Sequence, residues 1–253
     1  MTATDQPAGT LTNRNGDPLR VLVVGASSGI GASTAEVLVG AGARVAGAAR
    51  RTDRIAELAG VVPVLCDVGL AHVCAQAVET AAAALGGLDA VVYATGTTGL
   101  TPLDTTGPEE WNLIFTTNVV GAAMVTRAAL PHLRAKGSDG RAVFLSSDSA
   151  VKPYPGLVAY GASKAALGAF CLGLASEFGD LRVTEVMVGP TVDTEVGDHF
   201  DPDAFAAWFT RWCDEGFVRY GYQLSADVAA VIAETLRTEQ PDAVVMAAAE
   251  PAP

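Results

Sequence analysis

From Arg20 onward, short β-branched apolar runs alternate with longer Ala-rich stretches of helical spacing. Leu22-Val23-Val24, Arg44 to Ala48, Val62 to Cys66, Ala90 to Tyr93, Arg141 to Ser146, Val183 to Val188 and Ala243 to Met246 read as strands. Their apolar residues are nearly continuous, which marks strands buried on both faces, as in a parallel sheet. Ser33 to Val39, Ala71 to Leu85, Trp111 to about Lys136, Val158 to Phe178 and Ser225 to Arg237 read as helices. Pro131 begins a turn in the third of these or kinks it. The alternation predicts an α/β fold: a doubly wound parallel sheet of about seven strands with helices on both faces. Residues 20–253 then form one domain. Residues 1–19, with Pro7, Gly9, Asn13, Asn15, Gly16 and Pro18, carry no such pattern and read as a disordered N-terminal extension.

Composition narrows the partners. A formal net charge of −12 argues against nucleic acid or an anionic membrane, because phosphate binding needs clustered Lys and Arg. The N-terminal stretch lacks the apolar core of a signal peptide, and no uninterrupted apolar run reaches the ~18 residues of a membrane-spanning helix. A cytoplasmic protein is expected. Cys66, Cys74, Cys171 and Cys213 lack the Cys-x-x-Cys spacing, and His72, His132 and His199 are scattered, so no metal site or disulfide framework is signalled.

The candidate chemistry lies where strands run into helices. Gly25-Ala26-Ser27-Ser28-Gly29-Ile30-Gly31 joins the first strand to the first helix, a setting in which glycines admit a pyrophosphate and a helix N-terminus attracts it. Tyr160 and Lys164 are four residues apart, so on a helix they share a face. A nearby ammonium favours phenolate and is expected to lower the Tyr160 pKa, which suits acid/base work on an alcohol or carbonyl. An exposed Tyr beside a solvated Lys is the alternative. Ser147 closes the strand thirteen residues before Tyr160, and Asn118 lies inside the predicted long helix.

Together these positions resemble the Asn, Ser, Tyr, Lys tetrad of the short-chain dehydrogenase/reductase family, in its short single-domain branch, over Arg20 to Met246. The resemblance implies a Rossmann-like sheet and a catalytic set of Asn118, Ser147, Tyr160 and Lys164. Tyr160 would protonate the carbonyl oxygen and Ser147 would stabilise the developing oxyanion. Lys164 would lower the Tyr160 pKa and hold the nicotinamide ribose, and Asn118 would complete a proton relay. It also implies a dinucleotide held by Gly25, Ser27, Ser28, Gly29, Ile30 and Gly31, by Asp67 and Val68 at the adenine, by Ala94 and Gly96, by Tyr160 and Lys164, and by Pro190, Val192 and Thr194 at the nicotinamide. Asp67 as a plain turn residue remains open. Three departures stand out: Val24 replaces a Thr, Tyr93 and Ala94 replace two asparagines, and Gly189-Pro190 reverses the usual order.

Cofactor choice turns on the end of the second strand. Members preferring NAD carry an acid where this chain has Ala49, and Arg50 and Arg51 follow, suited to a 2′-phosphate. NADP(H) is expected and NAD(H) is possible, with Asp53 as the competing acid, although its place ahead of a helical stretch suits a cap. Of sixteen aromatic residues, eight lie between Glu195 and Tyr222. Phe205, Trp208, Phe209 and Trp212 fall at i, i+3, i+4 and i+7, an amphipathic stripe. In the family this part closes over substrate, so residues 195–222 read as a lid, with Ser149, Phe200, Phe205 and Trp208 as substrate contacts. The same stripe also fits core packing or a subunit interface. The leading function is an NADPH-dependent reductase of a bulky apolar ketone or aldehyde. Its alternatives are the reverse NAD(P)+-dependent alcohol oxidation, a sugar-nucleotide epimerase, for which little chain remains after the sixth strand, and a non-catalytic dinucleotide sensor. The family also implies a homo-oligomer, tetramer or dimer.

Overall fold

The computed structural model describes residues 10–135, 139–218, 221–238 and 243–248. Seven strands form one parallel sheet in the order β3-β2-β1-β4-β5-β6-β7: β1 Arg20–Val24, β2 Arg44–Ala49, β3 Val61–Leu65, β4 Ala90–Tyr93, β5 Arg141–Ser147, β6 Arg182–Val188 and β7 Val244–Ala247. This is the doubly wound arrangement that the strand pattern predicts. The helices are α1 Gly29–Gly40, α2 Thr52–Ala56, α3 Ala71–Leu85, α4 Pro108–Phe115, α5 Gly121–Arg134, α6 Val158–Glu177, α7 Pro202–Asp214 and α8 Ser225–Arg237.

Alternation within each strand builds two cores. Leu22 and Val24 of β1 point to one face, with Val91, Tyr93, Ala142 and Phe144, and are covered by α3, α5 and α6. Val21 and Val23 point to the other, with Val45, Val92, Val143 and Leu145, beneath α1, α2 and α8. Every residue of β4 and β5 is buried, which explains their unbroken apolar runs. The run Pro108–Arg134 and the helix α6 have the length and apolar character of membrane spans. Here they cover one face of the sheet, and α6 carries the buried Lys164.

Strand order reverses between β1 and β4, and the two pair through Val24 and Tyr93 at their carboxyl ends. A crevice therefore opens there, where sheets of this winding take ligands.

The stretch before β1 departs from the expected disorder. Residues 10–19 form an ordered turn: Leu11 and Leu19 are fully buried, the Leu11 amide donates to Ala41 O at 2.8 Å, and Leu19 N donates to Leu11 O at 2.9 Å. The polar residues make the turn itself, because Asn13 Oδ1 accepts from the amides of Asn15 and Asp17 and Gly16 takes a positive φ of 81°. Residues 1–9 and 249–253 lie outside the described part; the sequence is expected to fray from Ala247 to Pro253, but Ala247 is the buried last residue of β7, paired with Val188. Leu11→Ala is expected to lower the unfolding free energy by about 2–4 kcal/mol, read from urea denaturation; a loose tail would show no change.

Candidate active site

The glycine-rich turn follows from contact distances. A Cβ on Gly31 would lie 2.2 Å from the Gly25 carbonyl oxygen, so only glycine lets α1 start this close to β1. Gly25 has φ +96°, and a Cβ there would meet the Thr95 amide at 2.8 Å. Ser28 precedes α1 in an extended conformation and makes no side-chain capping bond, leaving the first-turn N–H groups to face the crevice. Gly29 abuts Thr194, whose Cβ lies 3.3 Å from the place a Gly29 Cβ would take. The loop of Pro190, Val192 and Thr194 thus reaches the turn. It is fixed from behind by Asp193, which accepts from the amide and hydroxyl of Ser225 at the start of α8. These shapes and free amides fit a dinucleotide pyrophosphate.

Beside the turn, Arg51 rather than Arg50 makes the contacts. Arg51 Nη2 donates to Ser27 Oγ at 3.2 Å, to Ser28 Oγ at 3.1 Å and to Glu195 Oε2 at 2.7 Å. Arg50 is exposed. Asp53 lies in the first turn of α2, the place of a dipole-favouring acid. Asp67 Oδ1 accepts from the Gly69 amide at 3.0 Å, which is turn chemistry, and Val68 packs against Gly121.

Asn118 sits in a π-helical turn, Thr116–Val120, between α4 and α5, where the expected long helix is interrupted. It is wholly buried. Its Nδ2 donates to Thr97 O and to Ser163 Oγ, both at 2.9 Å, and its Oδ1 accepts from Thr97 N at 2.8 Å. Gly96 passes close by: a Cβ there would stand 3.4 Å from Lys164 Nζ and 3.6 Å from Asn118 Oδ1. Tyr93, which replaces the first asparagine of the family pattern, supplies a brace. Its hydroxyl donates to Thr117 O at 2.6 Å within the π turn.

Tyr160 and Lys164 lie on α6, and Ser147 ends β5. Lys164 Nζ donates to Leu145 O at 2.8 Å and lies over the Tyr160 ring, 5.6 Å from its centroid. The expected lowering of the tyrosine pKa is not what this geometry gives. Burial pushes Tyr160 up to about 12, with the Ser147 hydroxyl pulling down and Asp148 pushing up. Burial likewise pushes Lys164 down to about 8, against the opposing pull of Glu185. Ser147 Oγ donates to Asp148 Oδ1 at 3.1 Å and accepts from the Ser149 hydroxyl at 2.9 Å. Asp148 Oδ2 accepts from Tyr154 O–H at 2.9 Å. Sequence reasoning misses Asp148 and Tyr154; an acid directly after the strand-end serine is the available signal.

Ser147, Ser149 and Tyr160 form the floor of a cavity of about 600 Å³. Its far wall is Phe200, Phe205, Phe209, Trp212 and Tyr222. Trp208 departs from its expected place as a substrate contact: it packs on Gly156 and under the Arg211 guanidinium, off the cavity wall. Trp212 is buried and its Nε1 donates to Pro155 O at 2.8 Å, tying α7 to the loop ahead of α6. Tyr220, one of the eight clustered aromatics, lies outside the described residues.

Residues 20–204 match the family model described as short chain dehydrogenase. The chain belongs to the short-chain dehydrogenase family. As a short-chain dehydrogenase it is an oxidoreductase. An uncharacterized oxidoreductase of Mycobacterium tuberculosis is 39% identical over 225 residues, covering 83% of this chain and 82% of that one. Glycine betaine reductase ATRR of Emericella nidulans is 36% identical over 195 residues, which is 72% of this chain but only 15% of that longer protein. Among solved structures, a short chain dehydrogenase from Burkholderia cenocepacia in complex with NADP superposes with a TM-score of 0.78 at 28% identity, covering 91% of this chain and 96% of that one. In this short-chain dehydrogenase the Tyr93 brace holds the turn that carries Asn118. Tyr93→Phe is expected to lower the unfolding free energy by about 1–2 kcal/mol and to speed amide exchange across residues 116–120; unchanged exchange there would move the brace elsewhere.

Proposed function

We propose that the chain reduces a bulky apolar ketone or aldehyde to an alcohol, using NADPH. The observation that carries this reading is the convergence of Ser147 and Tyr160 on one aromatic-walled cavity beside the glycine-rich turn. Bound NADPH supplies the hydride that the carbonyl carbon accepts. Tyr160, held protonated by burial up to about pH 12, gives its proton to the carbonyl oxygen. The Ser147 hydroxyl, turned from Asp148 toward the carbonyl oxygen, stabilises charge developing there. Lys164 presents its ammonium beneath the phenol and bears on the nicotinamide ribose, and Asn118 fixes the backbone around it. Arg51, together with Arg54 in α2, which shares the Glu195 carboxylate with it, takes the 2′-phosphate, with Ser27 and Ser28 beside Arg51. The aromatic wall from α7 excludes water and takes the apolar part of the substrate.

The test is a panel of ketones and alcohols with NADPH, NADH, NADP+ and NAD+, followed at the nicotinamide absorbance. Ketone reduction with NADPH is expected to lead; faster alcohol oxidation would reverse the assignment, and no turnover would favour a sensor. Tyr160→Phe is expected to lose about 10²- to 10⁴-fold in kcat with NADPH affinity unchanged. In the unmodified enzyme, kcat/KM for reduction should hold through neutral pH and fall above about pH 8. The sign follows from Lys164: its ammonium is the active form, and its depressed pKa makes that charge disappear as pH rises through about 8. A profile that stays flat well above that pH would remove the Lys164 ammonium from the reaction.

The cavity wall gives a separate test. Phe209→Ala should reduce kcat/KM for large apolar ketones by about tenfold, the scale of a lost apolar contact, while small ketones change little. Trp208→Ala, off the wall, should leave both alone. Equal effects of the two would make α7 a packing element only.

A further inference from the structure

Glu195 begins the segment that carries the aromatic wall, directly after Thr194. Its neighbours Thr194, Val196 and Gly197 line the substrate cavity, while Glu195 reaches the other way, to the edge of the dinucleotide crevice. One carboxylate oxygen accepts from Arg51 Nη2 and the other from Arg54 Nη1. Arg51 and Arg54 are three residues apart at the start of α2, so their guanidinium groups share one side of that helix. The two arginines, Arg51 first, hold the Glu195 carboxyl down at about 2, so it is ionised throughout the working pH range.

We propose that Glu195 sets cofactor choice by acting as a built-in carboxylate competitor for the 2′-phosphate site. The inference rests on the reading that Arg51 and Arg54 take that phosphate. The Arg51 nitrogen that meets Glu195 also meets the hydroxyls of Ser27 and Ser28, so the guanidinium lies over the turn beyond β2, where the 2′ substituent of an adenine ribose belongs. A carboxylate and a phosphate offer a guanidinium the same pair of acceptor oxygens, and the phosphate brings more charge. They cannot hold the same N–H groups together. The Glu195 side chain is 37% exposed and those of Arg51 and Arg54 are 44% and 45% exposed, so this is a solvent-screened pair that an incoming dianion replaces readily. A cofactor with only a ribose hydroxyl brings no charge, and leaves Glu195 on its arginines. NADPH affinity is therefore set below what the two arginines would give alone, and NADH affinity is set without them.

Dissociation constants for NADPH, NADH and 2′,5′-ADP, measured by calorimetry on the unmodified protein, Glu195→Gln and Arg51→Ala, test the proposal without turnover. Glu195→Gln is expected to tighten NADPH and 2′,5′-ADP by about 3- to 10-fold, the scale of an exposed ion pair, and to leave NADH within about twofold. The gain should shrink in 1 M NaCl, because both pairings are screened there. Unchanged or weaker NADPH binding in Glu195→Gln, or a gain indifferent to salt, overturns the proposal. Arg51→Ala judges the reading beneath it: a loss confined to NADPH and 2′,5′-ADP keeps that reading whatever Glu195 does, and an equal loss for NADH removes both. A drop in NADH affinity in Glu195→Gln overturns the proposal in favour of Glu195 as the acceptor for a ribose hydroxyl.

Discussion

The site depends on one buried carboxamide. Asn118 is wholly enclosed and uses three hydrogen bonds, two to the backbone of Thr97 and one to Ser163 Oγ, whose own proton goes to the Tyr160 carbonyl oxygen. A buried amide left unpaired is costly, so these partners are held together or not at all. The loop after β4, the π turn and the first turn of α6 become one piece. A π turn suits this place because it interrupts the regular ladder and leaves a carbonyl in need of another donor. Thr117 O finds it in Tyr93, whose ring is in the core and whose hydroxyl is in the turn. A residue that replaces an amide in the family pattern therefore does related work from the same strand end.

Dryness governs the ionisation of the two groups on α6. Ammonium and phenolate attract one another, but Lys164 is buried and Tyr160 is half-buried at the cavity floor, and loss of water favours the neutral form of each. Lys164 is also anchored by Leu145 O and lies over the ring of Tyr160. The polar group that favours the phenolate is Ser147, at the end of β5. Ser147 is in turn committed to Asp148 and Ser149, so its hydroxyl belongs to a network already paired within itself.

Much of this is legible in the sequence because parallel strands buried on both faces leave continuous apolar runs, and because helical residues four apart share a face. Those two rules place Tyr160 and Lys164 on one face and the glycine-rich turn between strand and helix; Asn118 and Ser147 join them only through the resemblance to the family. Leu11 and Leu19 escape notice because one apolar residue on each arm of a polar turn makes no periodic pattern. Arg50 and Arg51 are indistinguishable by type; which of them reaches the turn is decided by where β2 stops at Ala49 and α2 starts at Thr52. The aromatic positions on α7 do form a stripe, but it is wide enough to have two edges, and Trp208 on one edge meets the close backbone of Gly156 instead of the cavity. Asp148 and Tyr154 are joined only by the folding of the loop after β5, which no spacing rule describes.

The match to the family stops at residue 204, one position before Phe205, the first aromatic of α7 to face the cavity. Of the thirteen residues in that helix only Trp212 is buried, and it hangs on the loop before α6 rather than on the sheet. The aromatic wall of the cavity, Phe200 apart, is thus written in a stretch of chain that the sheet does not need for its own cohesion. Under the proposed reading, substitutions there change which carbonyl compound fits while leaving the glycine-rich turn and the sheet beneath it untouched.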